Sequence, residues 1–447
     1  MIRRFGVVVA LVLSGLGGLV AAPRQLTLDD AITIALRENK KVQIARLGVE
    51  KAKSQVREAF GNALPSLDLT AQLNRNTQVP IFFIPNFEDP SAGLTPIRVG
   101  LNNQYFVTAQ ARQILFNSAV FTGIGASKIY EEAAEKQLTA AIAEAVTETK
   151  KRFYGALLAK ELGTIARATL ANTEETLRTI EALFREGLVA EYDLIRVQVA
   201  LDNVKPAVTD ADALYANAVG ALTAHLGLPQ SEELEPIGSF AEPTGDAPTE
   251  EAALVDALQN NYELIAVEEQ VNVSREFVDV YRGDYFPTLA LIGQWQNQGQ
   301  SDTFSNWLQA TTSFVGLNFS VNLFNGLKSQ SKIEQASIDH QTASTQLQQL
   351  KDYVRLQVRM SINTVKSARL RIDAQQSTVR QAERGLEIAR IRYSEGTGSL
   401  LEISDAESAL ARARVNRIQA LHDYAAAVAD VEKVTGRVDQ KYTTVRN

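Results

Sequence analysis

The chain is written twice, and that constrains its fold more than any other feature of its 447 residues. Thr27–Asn39 aligns with Thr249–Asn261, placing Ala35-Leu36 on Ala257-Leu258 at an offset of 222. The same offset carries Leu64-Pro65-Ser66-Leu67 onto Phe286-Pro287-Thr288-Leu289. Further along, Leu115-Phe116-Asn117 matches Leu323-Phe324-Asn325 at 208, while Phe184–Gly187 matches Tyr393–Gly396, and Gly227 matches Gly436, at 209. The step between offsets (222 − 208 = 14) gives the first copy an insertion between Pro65 and Leu115, placed at Val79–Pro96, where four prolines predict a long exposed loop. Length alone suggests roughly three compact domains; the duplication argues instead for one elongated unit.

Each copy has the same order of helix, two strands, long helix and second helix. No proline falls between Pro96 and Pro206 or after Pro287, and Ser118–Arg185 and Leu327–Ser394 are rich in good helix formers. At 1.5 Å per residue each would extend on the order of 100 Å. In the second copy Val358, Val365, Ile372, Val379, Leu386 and Tyr393 recur every seven residues, offset by four from Val354, Ser361, Ala368, Gln375, Ala382 and Ala389. That is the a/d seam of a coiled-coil contact with one large and one small layer; the first copy is less regular. Each long helix ends at a glycine, Gly187 or Gly396, before a shorter one, which predicts antiparallel hairpins with tips at 187–193 and 396–402. Pro206 predicts a kink in the shorter helix of copy one.

The strand segments alternate. Leu67, Leu69, Ala71 and Leu73 interleave with Asp68, Thr70, Gln72 and Asn74, and Val315, Leu317, Phe319, Val321 and Leu323 with Asn318, Ser320 and Asn322. Tyr105–Arg112 and Pro287–Gln296 follow suit, although Ala290 and Ile292 weaken the polar face of the latter. Segments of about 10 residues with one apolar and one aqueous face suit a transmembrane barrel with a wet lumen; a half-buried sheet in a soluble domain would alternate the same way. The N-terminus tips the balance. Arg3 and Arg4 precede the uncharged Val7–Val20 and the small Ala21 and Ala22, the pattern of a secretory signal peptide cut near Ala21–Arg24. At about 14 residues the apolar run is short of the ~20 needed to span a bilayer. No later segment could serve as a membrane helix, so entry into a membrane would require a closed barrel. Four strands cannot close one, and several chains must share it.

The domain plan is thus a signal peptide over 1–22; a first repeat over 23–227 with strands near 65–76 and 103–116; a proline-rich linker over 228–248; a second repeat over 249–436 with strands near 287–297 and 307–324; and a tail over 437–447. The fold class is mostly α with a membrane β-barrel.

Composition removes other classes. With 45 Lys+Arg against 52 Asp+Glu, a net charge of −7, the chain has no electrostatic footprint for nucleic acid. It has no cysteine, which excludes disulfides, thiol nucleophiles, Cys-ligated metals and a lipid-bearing N-terminal cysteine. His225, His340 and His422 lie in separate helical segments without metal-ligand spacing. No enzyme, cofactor or metal site is expected.

Over essentially the whole mature chain the sequence resembles the TolC-like outer-membrane efflux (channel-tunnel) proteins. The resemblance rests on the LPSL and FPTL strand starts, the LFN and LFNG junctions, the tips EGLVAEYDL and YSEGTGSLLEISDAE, and the repeat ends Leu226-Gly227 and Thr435-Gly436. It implies a homotrimer with about 12 strands in one outer-membrane barrel, set in outer-membrane lipid, and an α-helical tunnel across the periplasm closed at its far end by inward-coiling hairpins. A periplasmic adaptor and an inner-membrane transporter would be its partners in a tripartite efflux or type I secretion system. Residue by residue, Glu402 and Asp405 match the acidic positions that line the periplasmic entrance. In a trimer they would form carboxylate rings that favour cations, although acids in a first helical turn also complement the helix dipole. Asp193 and Tyr393 match gate contacts between hairpins. Gly187, Leu188, Gly396 and Thr397 match the tip grooves that receive the adaptor. Gly398 stands where the family has a tip arginine, so the latch must differ here. Two other readings are a non-conducting coiled-coil spacer anchored at the outer membrane and a soluble coiled-coil interaction protein.

Overall fold

The computed structural model describes residues 24–87, 91, 93–243, 248–438 and 442. The signal segment 1–22, Pro23 and most of the tail after 438 lie outside the described residues. In chain order the elements are β1 (Arg24–Leu26), α1 (Leu28–Glu38), α2 (Lys40–Gly61), β2 (Ser66–Arg75), β3 (Ile81–Pro85), β4 (Leu94–Arg98), β5 (Asn103–Asn117), α3 (Ser118–Arg185), α4 (Glu191–Leu226), β6 (Leu234–Pro236), α5 (Glu250–Asn260), α6 (Tyr262–Arg282), β7 (Thr288–Ser301), β8 (Leu308–Ser320), α7 (Lys328–Ser394) and α8 (Leu400–Val434). Among the described residues no helix is long and apolar enough to cross a membrane.

The compact units do not follow the repeats. One draws on the segments Met1–Asn39, Glu148–Gly245 and Val365–Ala426, the other on Lys40–Thr147, Asp246–Thr364 and Ala427–Asn447. Each repeat therefore contributes to both, because hairpin packs against hairpin and strand against strand.

In the second unit β2, β5, β7 and β8 form an antiparallel sheet in that order. Paired residues share a face, so register decides whether four separate alternations add up. They do. Leu69 lies opposite Ala109, Ala109 opposite Trp295, Leu291 opposite Leu317 and Leu289 opposite Phe319, all on one apolar face. Gln72, Phe106, Gln298 and Ala310 form one row of the other face, and Gln110 and Gln294 meet there in another. That face carries Asp68, Thr70, Gln110, Gln294 and Gln296, with Phe106, Ile114, Ile292, Leu308 and Phe314 as apolar exceptions.

Three expectations need correction here. The insertion is not a loop: β3 and β4 pair as a hairpin, Phe83 opposite Pro96 and Pro85 opposite Leu94. A two-stranded ribbon has two free edges, and on a free edge a proline forfeits no ladder hydrogen bond. Strand β7 runs to Ser301, well beyond the expected 297, because β5 and β8 flank it on both sides. Strand β8 stops at Ser320 rather than near 324, although its counterpart β5 continues through Leu115 to Asn117. Among the described residues the end of β5 is held by β7 alone, across a bulge between Ile114 and Phe116, and residues 321–325 have no such neighbour.

The first unit corrects the linker. Its β6 pairs in parallel with β1, Gln25 opposite Glu235. Three acids of the segment are tied to different elements, Glu232 to Arg24 at 3.0 Å, Glu235 to Lys160 at 2.8 Å and Glu242 to Arg417 at 2.9 Å. Phe240 packs on the core of Leu26, Phe153, Leu157 and Leu222 and also on Ile372 and Leu421. The segment is a strap across both repeats.

At the roots of the hairpins the duplication extends to single hydrogen bonds. Asn39 Nδ2 donates to the His225 carbonyl at 2.6 Å and Asn261 Nδ2 to the Val434 carbonyl at 2.9 Å, each two residues before a helix-ending glycine. Gly227 and Gly436 are left-handed (φ 78° and 67°) and lie so close to the carbonyls of Glu38 and Asn260 that neither has room for a Cβ. Helix α4 continues unbroken through Pro206.

Candidate functional site

The expected site residues gather at the free ends of the two hairpins, within the first unit. Both tips use one device. Gly187 N–H donates to the Phe184 carbonyl (3.0 Å) and Leu188 N–H to Leu183 (2.9 Å); Gly396 N–H donates to Tyr393 (3.0 Å) and Thr397 N–H to Arg392 (2.9 Å). These are Schellman closures around left-handed glycines with φ 71° and 74°. They release each chain into the next helix within a few residues. Neither tip glycine has a neighbour where a Cβ would lie, in contrast to the crowded root glycines.

The structure brings some of the expected residues together. Leu188, Tyr393 and Gly396 line one groove of about 650 Å³ between the tips, together with Ile180, Val189 and Ile403. Tyr393 packs against both hairpins, on the Leu386–Ile403 cluster and on the Ile180–Val197–Leu400 cluster. Its phenol pKa is raised, first by burial and then by the negative charge of Asp193. Among the described residues the Tyr393 hydroxyl has no hydrogen-bond partner, so Asp193 acts on it through space.

The carboxylates divide. Asp405 is exposed, whereas Glu402 pairs with Arg392 at 3.3 Å and donates its own N–H to Ser399 Oγ at 3.3 Å. Arg392 also donates from a guanidinium nitrogen to the Thr397 carbonyl at 3.2 Å. Gly398 sits at a close approach to the end of the preceding helix. Its N–H donates to the Arg392 carbonyl at 2.9 Å, and a Cβ would meet Arg392 and the Tyr393 nitrogen at 3.0 Å. Arg392, on the preceding helix, is the cation that lies beside both Glu402 and the Thr397 carbonyl.

Sequence reading missed Glu407. Its side chain is only 11% exposed, pairs with Arg390 at 3.3 Å and accepts from Thr176 Oγ1 at 3.3 Å, joining α8 to α7 and to α3 of the other hairpin. The signal was present: Ile403, Glu407 and Leu410 are spaced four and three apart, so a carboxylate occupies a seam position.

The profile of the family described as outer membrane efflux protein matches residues 31–228 and 253–437, the body of each repeat. The chain belongs to this family. Among curated relatives of this outer membrane efflux protein, the alkaline protease secretion protein AprF of Pseudomonas aeruginosa is 25% identical over 346 residues, 76% of this chain and 71% of that one. The outer membrane protein TolC of Vibrio cholerae is 23% identical over 385 residues (85% and 83%). The proteases secretion protein PrtF of Dickeya chrysanthemi is 23% identical over 453 residues (98% and 94%). Among solved structures, the Campylobacter jejuni CmeC outer membrane channel superposes with a TM-score of 0.76 at 21% identity, covering 92% of this chain and 85% of that one. The open-state MtrE outer membrane channel of Neisseria gonorrhoeae gives 0.73 at 20% identity (92% and 88%). The histidines of the outer membrane efflux protein stay apart, His225 on Thr149, His340 on Ser274 and His422 on Asp423. Among the described residues no three His, Asp or Glu converge as metal ligands.

Proposed function

We propose that this outer membrane efflux protein is a passive exit duct. Three copies each contribute a four-stranded sheet to one outer-membrane barrel, and their helical hairpins form the conduit across the periplasm. A periplasmic adaptor seats on the tips around Gly187, Leu188, Gly396 and Thr397, and an inner-membrane transporter supplies the energy. The observation that carries the reading is the register of the sheet: four alternating strands align into one apolar face for lipid and one polar face for water. Family membership and secretion proteins among the relatives support it.

The periplasmic entrance is gated at the tips. Asp193 and Tyr393 meet where the hairpins converge, so opening separates them, and the adaptor biases the equilibrium by binding the open arrangement more tightly. The entrance carboxylates are unequal, since Glu402 pairs with Arg392 while Asp405 faces solvent. In planar bilayers the purified protein should conduct, and multivalent cations should block it from the tip side. Asp405→Ala removes most of that block and Glu402→Ala less. Block unchanged in the double variant refutes the gate assignment. Absence of conductance in an assembled trimer would instead identify a spacer.

A further inference from the structure

The register of the sheet also sorts its charges. The water-facing positions are the even-numbered residues of β2, β7 and β8, and of β5 as far as its bulge. Two of these positions carry a charge, Asp68 and Arg112. Elsewhere neutral amides keep the face polar, and β7 alone presents Gln294, Gln296, Gln298 and Gln300. An amide both donates and accepts hydrogen bonds without carrying charge. Such a wall stays wet and leaves ions of either sign unsorted.

The two charges belong together. Asp68 lies opposite Gln110 and Arg112 opposite Ser66 on adjacent strands. They therefore stand one diagonal step apart, roughly 7 Å between Cβ atoms. Both lie toward the end of the sheet where β2 follows α2 and where β5 leads into α3. Each is exposed, and among the described residues neither is held in an ion pair. Exposed charges at such a spacing add little to stability, whereas on the wall of a pore they act on whatever passes.

We propose that Asp68 and Arg112 are a charge-balancing pair on the inner rim of the barrel, an inference that rests on the shared-barrel reading above. Three of each cancel, so the barrel section of the duct selects neither sign and ion sorting is left to the tip carboxylates. The dimensions make this balance matter. About 12 strands, spaced by about 4.8 Å and tilted by about 40°, close at a backbone radius of roughly 12 Å. Inward side chains narrow the opening further. The Debye length at 0.1 M salt is about 10 Å, so a net charge on the rim would be felt across the whole lumen. Three uncompensated arginines would turn back the cations that the tips favour, and three uncompensated aspartates would add a second cation filter. Set one diagonal step apart, the opposite charges offset one another within a Debye length.

Ion selectivity reports the balance directly. The full-length trimer is reconstituted in planar bilayers, and the reversal potential is read under a salt gradient centred on about 0.1 M. Glu402→Ala with Asp405→Ala serves as the common background, so that the tips do not mask the barrel. In that background Arg112→Gln should raise the cation-to-anion permeability ratio, and Asp68→Asn should lower it. Asp68→Asn combined with Arg112→Gln should return the ratio to the background value, and so should the exchange of Asp68→Arg with Arg112→Asp. Gln110→Glu adds a charge at the same height and removes none. It should move the ratio in the direction of Arg112→Gln, and it decides the matter where a rim variant fails to assemble. All these shifts should shrink at 1 M salt, where the Debye length is about 3 Å. Ratios that do not respond, or that move the same way in both single variants, overturn the balance while leaving the duct standing. An assembled trimer that passes no current in any variant or in the unaltered chain overturns the duct itself, and this pair with it.

Discussion

The two helical hairpins share one repeated pattern but are fastened differently. In hairpin two, ion pairs cross between α7 and α8 all along the part that belongs to the first unit: Arg371–Asp423 and Glu383–Arg414 at 2.9 Å, then Arg390–Glu407 and Arg392–Glu402 at 3.3 Å. They flank a seam on which Ile372 and Leu386, two heptads apart, are buried together with Ala389 of the other row. Hairpin one has Arg167–Asp212 at 2.7 Å near its root. Beyond it, Arg178 and Arg185 pair within their own helix with Glu174 and Glu181, and among the described residues no ion pair joins α3 to α4 over 168–205. This difference in fastening predicts that hairpin two moves as a piece and that hairpin one yields. Where they meet, Glu407 and Tyr393 are anchored in hairpin two and only lean on hairpin one.

The contrast between root and tip gives the largest expected effect. Gly436→Ala, like Gly227→Ala, incurs a left-handed backbone cost of about 1–2 kcal/mol and must also displace a backbone carbonyl. Gly396→Ala and Gly187→Ala incur the backbone cost alone, because nothing lies where the new Cβ goes. Thermal unfolding in detergent should show each root variant losing clearly more than its tip counterpart. Equal losses would mean that the asparagine–glycine junctions at the roots yield as readily as the tips.

Next comes the stitching. Glu407→Ala removes a largely buried carboxylate that accepts from both Arg390 and Thr176, and leaves Arg390 exposed to solvent. The loss is then that of hydrogen bonds to a charged group, about 1.5–3 kcal/mol. Arg167→Ala removes an exposed pair worth about 1 kcal/mol or less. A larger loss from Arg167→Ala would reverse the assignment of stiff and yielding hairpins.

How much of this could be read from the sequence depends on the range of the interaction. Helix ends and hairpin tips were legible because Gly187, Gly396, Gly227 and Gly436 act within a few residues of themselves. Strand faces were legible because alternation is local. The strand β6 was not, since three residues pairing with Arg24–Leu26 across a separation of about 210 leave no periodic trace. Nor was the ribbon β3–β4, whose prolines suggest a loop until the free edge is seen. Glu407 could be found only by asking why a carboxylate stands on a seam, and its partners Arg390 and Thr176 belong to different helices.

The smallest expected effect concerns pH, and it separates the hairpins by sign. Asp423 on α8 has a lowered pKa: burial opposes the shift, and hydrogen bonds from Gln419, His422 and Arg371 outweigh it. Its contribution is present above the ordinary carboxylate value near 4 and is lost as pH falls through the depressed value. Acid therefore loosens the α7–α8 stitching, and Asp423→Asn should flatten the acid limb of the unfolding curve. Tyr393 works in the opposite direction. Its pKa is raised, so the neutral phenol is favoured in the folded tip, and stability is lost as pH rises from the usual value near 10 through the raised one. A tyrosinate formed there would face the charge of Asp193, driving hairpin one from hairpin two without touching the ion pairs of either. Channel opening in planar bilayers should rise at the alkaline limit in the unaltered protein and lose that dependence in Tyr393→Phe. Asp193→Asn should move the transition to lower pH, because the nearby charge that resists ionisation is gone. An alkaline response that survives Tyr393→Phe would place the yielding contact elsewhere on the tip.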